Sequence, residues 1–336
     1  MKPKICLIAT ALLVAAAGSF GQSKTGTSVG QFLLIEPSAR IASMGNAGAT
    51  IYDDVGAAYY NPAAIGHFFE TGVQFSHVPW LADISFDFAA LGLSLGDFGN
   101  FYATVTSLNS GEIDVRTVER PLGTGERYTV SDLAIGIGYG RQISERFSLG
   151  LQVSYLRETI WHSSMGAFSL NVGTLYRISE NGLRIGASVS NFGTRGKFDG
   201  TDLRVLFDQN PERFGDNGRL PAELLTEYYS LPILFRVGVG IPVNISDDHN
   251  MLFVVDAFHP SDNTESISFG GEWVFQNTVM LRGGYQNLFL DDSEVGLTLG
   301  AGVHYSADSY SLQFDYGWAD HGRLETTHRL TLGVSF

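Results

Sequence analysis

Beyond residue 21 this sequence has no cysteine. Its only one, Cys6, lies in an apolar stretch at the amino terminus. A chain without thiols offers no thiolate metal ligand, no thiol nucleophile and no disulfide. Long apolar runs are also missing. After residue 22 nothing reaches the roughly 18 apolar residues that mark a membrane-spanning helix. Basic residues are scarce: 21 Lys and Arg stand against 35 Asp and Glu, a formal charge of −14. That balance argues against nucleic-acid binding, which depends on a basic face. The acidic pairs Asp53-Asp54, Asp247-Asp248 and Asp291-Asp292 lack the spacing of a calcium loop and read as turn and cap residues. No metal or cofactor is expected. Catalysis is not expected either. His162 and Ser163 are adjacent, so on a strand they point to opposite faces, and His304 has no evident serine partner.

What is present points to export. Lys2 and Lys4 precede the apolar stretch Ile5–Ala17, and Ser19-Phe20-Gly21 places small residues for cleavage before Gln22. Residues 1–21 are therefore expected to be a signal peptide. An exported chain that enters a membrane without apolar helices must close its strands into a barrel, since an open edge in lipid leaves backbone groups unpaired. Forty glycines and 12% aromatic residues suit such strands.

Period-2 alternation marks about fourteen strands, near 71–78, 82–95, 100–109, 129–142, 146–160, 164–177, 183–193, 230–243, 249–259, 264–275, 278–287, 294–307, 309–318 and 326–336. Tyr310, Leu312, Phe314, Tyr316 and Trp318 alternate with Ser311, Gln313, Asp315 and Gly317. One face is greasy and the other small and polar, which predicts lipid outside and a wet lumen inside. Every second connection is short, among them 96–99, 144–145, 179–182, 245–248, 276–277 and 307–308, while 110–128 and 194–229 are long. Both termini then fall on the short-turn side, the periplasmic side of an outer membrane. The expected fold is an all-β, fourteen-stranded antiparallel transmembrane barrel over 71–336. At Ala89-Ala90 the alternation slips by one, from Ile84, Phe86 and Phe88 to Leu91, Leu93 and Leu95, which predicts a β-bulge there.

Residues 22–70 read differently. Met44–Gly66 is rich in small residues and suits neither a long helix nor a strand. Asn61 is placed to cap a short helix that opens on Pro62. About eight strands already fill their own interior, and here many inward positions are Gly, including Gly136, Gly150, Gly186, Gly270 and Gly300. The space they leave is expected to take 22–70 as a plug, with an open aqueous pore as the competing reading. Asp87, Asp132, Glu158, Asp256, Glu272 and Asp315 are expected to face inward with Arg184, Arg236, Arg282 and Arg329. Asp53, Asp54, Tyr60, Asn61 and Pro62 are the candidate docking or gating residues, and Arg236 is the candidate to hold Asp53 or Asp54. Near the long-loop rim, Trp80 and Trp161, beside His77 and His162, are candidates for membrane anchoring or for contact with a ligand or partner. Loop 194–229 carries Phe198, Leu203, Val205, Leu206, Phe207 and Phe214 and is expected to be a lid or partner-binding loop.

The segment GNAGATIYDDVGAAYYNPAAIG resembles the amino-terminal segment of FadL-like outer-membrane proteins. The chain as a whole is more similar to the PorV/PorQ family, through Gln31-Phe32-Leu33, Ala39-Arg40, Met44-Gly45, Asn61-Pro62-Ala63, His77-Val78-Pro79-Trp80, Ser131-Asp132-Leu133, Arg157–Trp161 and Leu231–Gly238. The closing strand His328–Phe336 resembles the signal read by the barrel-assembly machinery. The resemblance implies a fourteen-stranded outer-membrane barrel in contact with lipid. It implies one of two roles. The first is work with the type IX secretion system, holding exported cargo protein. The second is passage of small hydrophobic compounds such as fatty acids, with the amino-terminal segment as a hatch.

Overall fold

The structure, a computed structural model, describes residues 26–336 apart from 69, 179–181, 214, 216–217 and 291–292. The expected signal peptide, Phe214, Asp291-Asp292 and most of the expected 179–182 turn lie outside the described residues.

Fourteen strands form the wall: β1 (Gly72–Pro79), β2 (Ser85–Ser94), β3 (Asn100–Asp114), β4 (Arg127–Ser144), β5 (Phe147–Ile160), β6 (Ser163–Arg177), β7 (Arg184–Gly193), β8 (Leu234–Ser246), β9 (His249–Pro260), β10 (Ser266–Phe275), β11 (Val279–Leu288), β12 (Leu297–Ser306), β13 (Ser311–Asp320) and β14 (Thr326–Ser335). Each pairs antiparallel with its neighbours in sequence, and β14 pairs with β1, so no edge is left open. The pleat sends alternate residues to opposite faces. On β4, Leu133, Ile135 and Ile137 are exposed on the outside, while Ala134 between them is buried. Among the described residues no helix is long and apolar enough to cross a membrane.

The chain enters the wall at Gly72 and ends at Phe336 on the same side, where the connections are short. The opposite side carries the long connections. One of them holds a separate two-stranded sheet, Arg204–Phe207 with Leu220–Glu223.

One expectation fails. β2 keeps an unbroken register with β1 and with β3 through Ala89 and Ala90, so there is no bulge. Instead, Phe86 and Phe88 are fully buried and face the lumen, and Asp87 faces out, where His77 Nδ1 lies 2.7 Å from its carboxylate. The reason is local. At this height the lumen is filled with apolar side chains, and Tyr59 meets Phe88 edge-on with ring centroids 5.5 Å apart. A barrel packed around an apolar insert inverts the rule of grease outside and polarity inside. Breaks in register do occur elsewhere in the wall, one of them between β6 and β7, where Asn191 has a φ of 62° and its N–H donates to Asn171 Oδ1 at 2.7 Å.

Candidate functional site

The amino-terminal segment occupies the lumen as a chain of short turns. Gln31–Leu34 and Pro62–His67 are 3-10 turns, and Ala39–Ala42 and Ala57–Tyr60 are single α-turns. Isolated turns this short do not hold themselves together, so their order comes from caps and from the wall. Ser38 Oγ accepts from Ile41 N–H, and Asn61 Oδ1 accepts from Ala63 N–H, capping the turn that begins at Pro62. Ile41, Met44, Ile51, Tyr60 and Ile65 are completely enclosed, each worth about 1.5–3 kcal/mol of apolar burial.

Many of the inward glycines, expected to leave space, are where the segment touches the wall. Gly150 meets the Pro62 carbonyl, Gly186 the Ala49 carbonyl and Gly300 the Ser43 side chain. Gly270 and Gly284 both meet the Met44 backbone. At each of these positions a β-carbon would overlap the insert. Their pattern is the footprint of one backbone on another.

Polar contacts lock the same interface. Arg40 donates to Asp53 Oδ1 at 3.1 Å within the segment and to Glu272 Oε1 at 2.8 Å on β10. Glu272 also accepts from Arg282 at 2.6 Å, and Arg282 continues to Asp315 at 2.5 Å. Arg329 donates to Glu36 at 2.9 Å. Asp54 lies 4.0 Å from Arg40 and accepts from Gly56 N–H at 2.7 Å. Burial raises its carboxyl to about 6, with Arg40 offsetting only part of the rise. Nine of the ten wall charges expected to face inward do so; Asp87 is the exception.

Arg236 does not hold Asp53 or Asp54. Its Nη1 donates to the Tyr60 carbonyl at 3.0 Å, its guanidinium lies 5.2 Å from the Tyr60 ring centroid, and Asp256 is its ion-pair partner at 3.9 Å. Asp53 and Asp54 are served from within their own segment by Arg40, a residue that sequence reasoning passed over. The available signal was a lone cation in a run otherwise free of basic residues. Asn61 Nδ2 donates to the Ala49 and Thr174 carbonyls at 2.6 and 3.1 Å, and Pro62 packs on the Gly150 and Gly173 wall.

The insert separates two hollows. Toward the long loops lies a cavity of about 730 Å³, with Tyr59, Tyr60, Trp80, Asp132, Glu158 and Arg236 in its wall. Toward the short turns lies one of about 260 Å³ beside Asp53, Asp54 and His67. Among the described residues the two share no lining residue.

The rim candidates divide. Trp80 turns inward, 5.3 Å from His321 by ring centroids, with the Arg329 guanidinium 5.4 Å from its own. Phe198 packs against the buried core. Trp161 stacks on His162 at 4.8 Å and is exposed, as is Phe207. The structure adds exposed residues that the sequence reading missed: Val118 and Leu122 in one long loop, and Leu224, Leu225 and Tyr228 in the other.

A family model described as "Type IX secretion system protein PorV" matches residues 19–210. No curated protein matches the chain. Solved structures with a similar fold include the Pseudomonas putida toluene transporter TodX, at 12% identity and a TM-score of 0.55 over 90% of this chain and 98% of that one. The Ralstonia pickettii toluene transporter TbuX follows at 11% and 0.52, over 89% and 97%. A Pseudomonas aeruginosa FadL homologue gives 10% and 0.53, over 89% and 98%. Identities this low establish a shared fold and nothing further.

Proposed function

Because the chain belongs to the PorV family of type IX secretion system proteins, we propose that this outer-membrane barrel holds exported protein at its long-loop rim and that its lumen stays shut. Loop 194–229 carries the reading. Leu206, Phe207, Leu224, Leu225 and Tyr228 stand exposed on it, a concentration of large apolar side chains that marks an interaction site. The filled lumen supports the second half. An insert matched to the wall at five glycines and tied by Arg40 to Glu272 is a built part of the barrel. Asp53, Asp54, Tyr60, Asn61 and Pro62 dock the insert first and gate only if it moves; Arg236 acts by holding Tyr60. Trp161 and Phe207 belong to the partner surface, and Trp80 and Phe198 support it from below. In this reading the termini face the periplasm, the barrel-assembly machinery inserts the chain, and secretion-system components are its partners. No catalytic step is assigned to it. Purified protein with Phe207, Leu224 and Leu225 changed to Ser tests the rim. Loss of cargo capture with an intact barrel supports it, and unchanged capture overturns it.

A second reading, a channel for small hydrophobic compounds, draws on one observation: the cavity on the long-loop side has aromatic walls. It requires the insert to move, since that cavity ends on Tyr59 and Tyr60.

A further inference from the structure

Asp132 on β4 and Glu158 on β5 are direct cross-strand partners, and both face the lumen. Side chains so placed have β-carbons about 4.5–5.5 Å apart, where like charges repel. The neighbours that continue this row are Leu108 on β3 and Met165 on β6, so no cation stands beside the pair in the wall. Asp262, at the loop end of the same cavity, is a third carboxylate. Among the described residues none of the three forms an ion pair. Glu158 accepts from Gly30 N–H at 2.6 Å, and Asp262 accepts from Gln31 at 2.6 Å and from the Ser28 hydroxyl. The Asp132 carboxylate accepts nothing among the described residues.

The cavity's other charges are already committed. Glu36 is taken by Arg329, and Arg236 is held by Asp256 and the Tyr60 carbonyl. A second observation points the same way. Asn46, 7% exposed and part of the same wall, donates to Glu36 at 2.9 Å, while its amide oxygen accepts no hydrogen bond. No cation of this wall is therefore free to serve the Asp132–Glu158 pair. Its remaining surface includes Phe32, Tyr59 and Phe258, which suits an apolar body. A volume near 730 Å³ is that of a small-molecule site.

We propose that this cavity binds an organic cation, a primary amine on an apolar or aromatic body, with its ammonium group between Asp132 and Glu158. Three N–H donors and one positive charge are what the paired carboxylates lack, and aromatic faces stabilise a cation beside them. This site does not depend on the cargo reading.

Isothermal titration of the signal-free full chain in a nonionic detergent tests it, with 2-phenylethylamine as the probe against 2-phenylethanol and 3-phenylpropionate. The amine binds at least about tenfold more tightly than either analogue, a difference of about 1.4 kcal/mol. D132N/E158Q removes that preference while the barrel keeps its heat-dependent gel shift. If the double variant does not fold, D132N alone serves, because the Asp132 carboxylate accepts no hydrogen bond from the described protein. Equal binding of amine and alcohol, preference for the acid, no binding of the amine, or an unchanged preference in the variant each overturns the proposal.

Discussion

Arg40 in the lumenal insert donates to Glu272 on β10 at 2.8 Å, joining the two parts of the molecule through a buried ion pair. Breaking a buried pair from one side leaves a charge with no compensation, at a cost of about 3–5 kcal/mol. Arg40→Gln should lower the unfolding free energy by that order, read as a fall in the urea midpoint. Glu272 keeps Arg282 at 2.6 Å, but Asp53 and Asp54 lose their nearest cation. A midpoint unchanged from the parent would mean that the insert is not held by this residue.

Glycine at the wall makes a second expectation. Gly186→Val places side-chain carbons where the Ala49 carbonyl stands, and overpacking of this kind costs about 1–3 kcal/mol or displaces the insert. Gly283→Ala is the control, since its nearest neighbour would lie at an ordinary 3.6 Å. Limited proteolysis should cut within 26–68 in the first variant only. Equal resistance in both would contradict the close fit.

Stability should respond to Asp54. Its folded value of about 6 lies above the ordinary 3.8, so the folded state favours the neutral carboxyl. The associated stability is present in full below pH 4 and is lost as pH rises through about 6. A shift of this size corresponds to about 2–3 kcal/mol. Asp54→Asn should therefore raise the unfolding midpoint at pH 7.5, and the gain should vanish below pH 4. A gain that persists at acid pH would sink the assignment.

The rim residues should be separable from the barrel. Exposed positions away from packing change stability by no more than about 0.5 kcal/mol. Leu224→Ser with Leu225→Ser should leave the thermal midpoint in place and weaken capture of exported protein by at least tenfold in a pull-down. A variant that unfolds the barrel instead would show that these leucines pack inward.

The strands were legible in the sequence because a half-lipid, half-lumen wall imposes period two on every one of them. Their observed limits lie within a few residues of the alternation except where long loops begin, as at Asp114 and Leu234. Phe86 and Phe88 misled for a physical reason. Their lumenal neighbours come from a segment about thirty residues away, and alternation alone does not distinguish lipid from an apolar insert. The glycines misled similarly, since a missing side chain reads as a void until its neighbour is known. Asn61 and Pro62 were readable because a cap is a local device. Arg40 was not, because its partners Asp53 and Glu272 are brought to it only when the barrel closes around the segment.

The proteins released and displayed by a strain lacking this barrel, set against the same strain with the chain restored, test the export role most directly. Exported proteins should fall at the surface and in the medium and return on restoration. An unchanged set of exported proteins, together with reduced uptake of a fatty acid or an aromatic hydrocarbon, would contradict the export role and favour the channel.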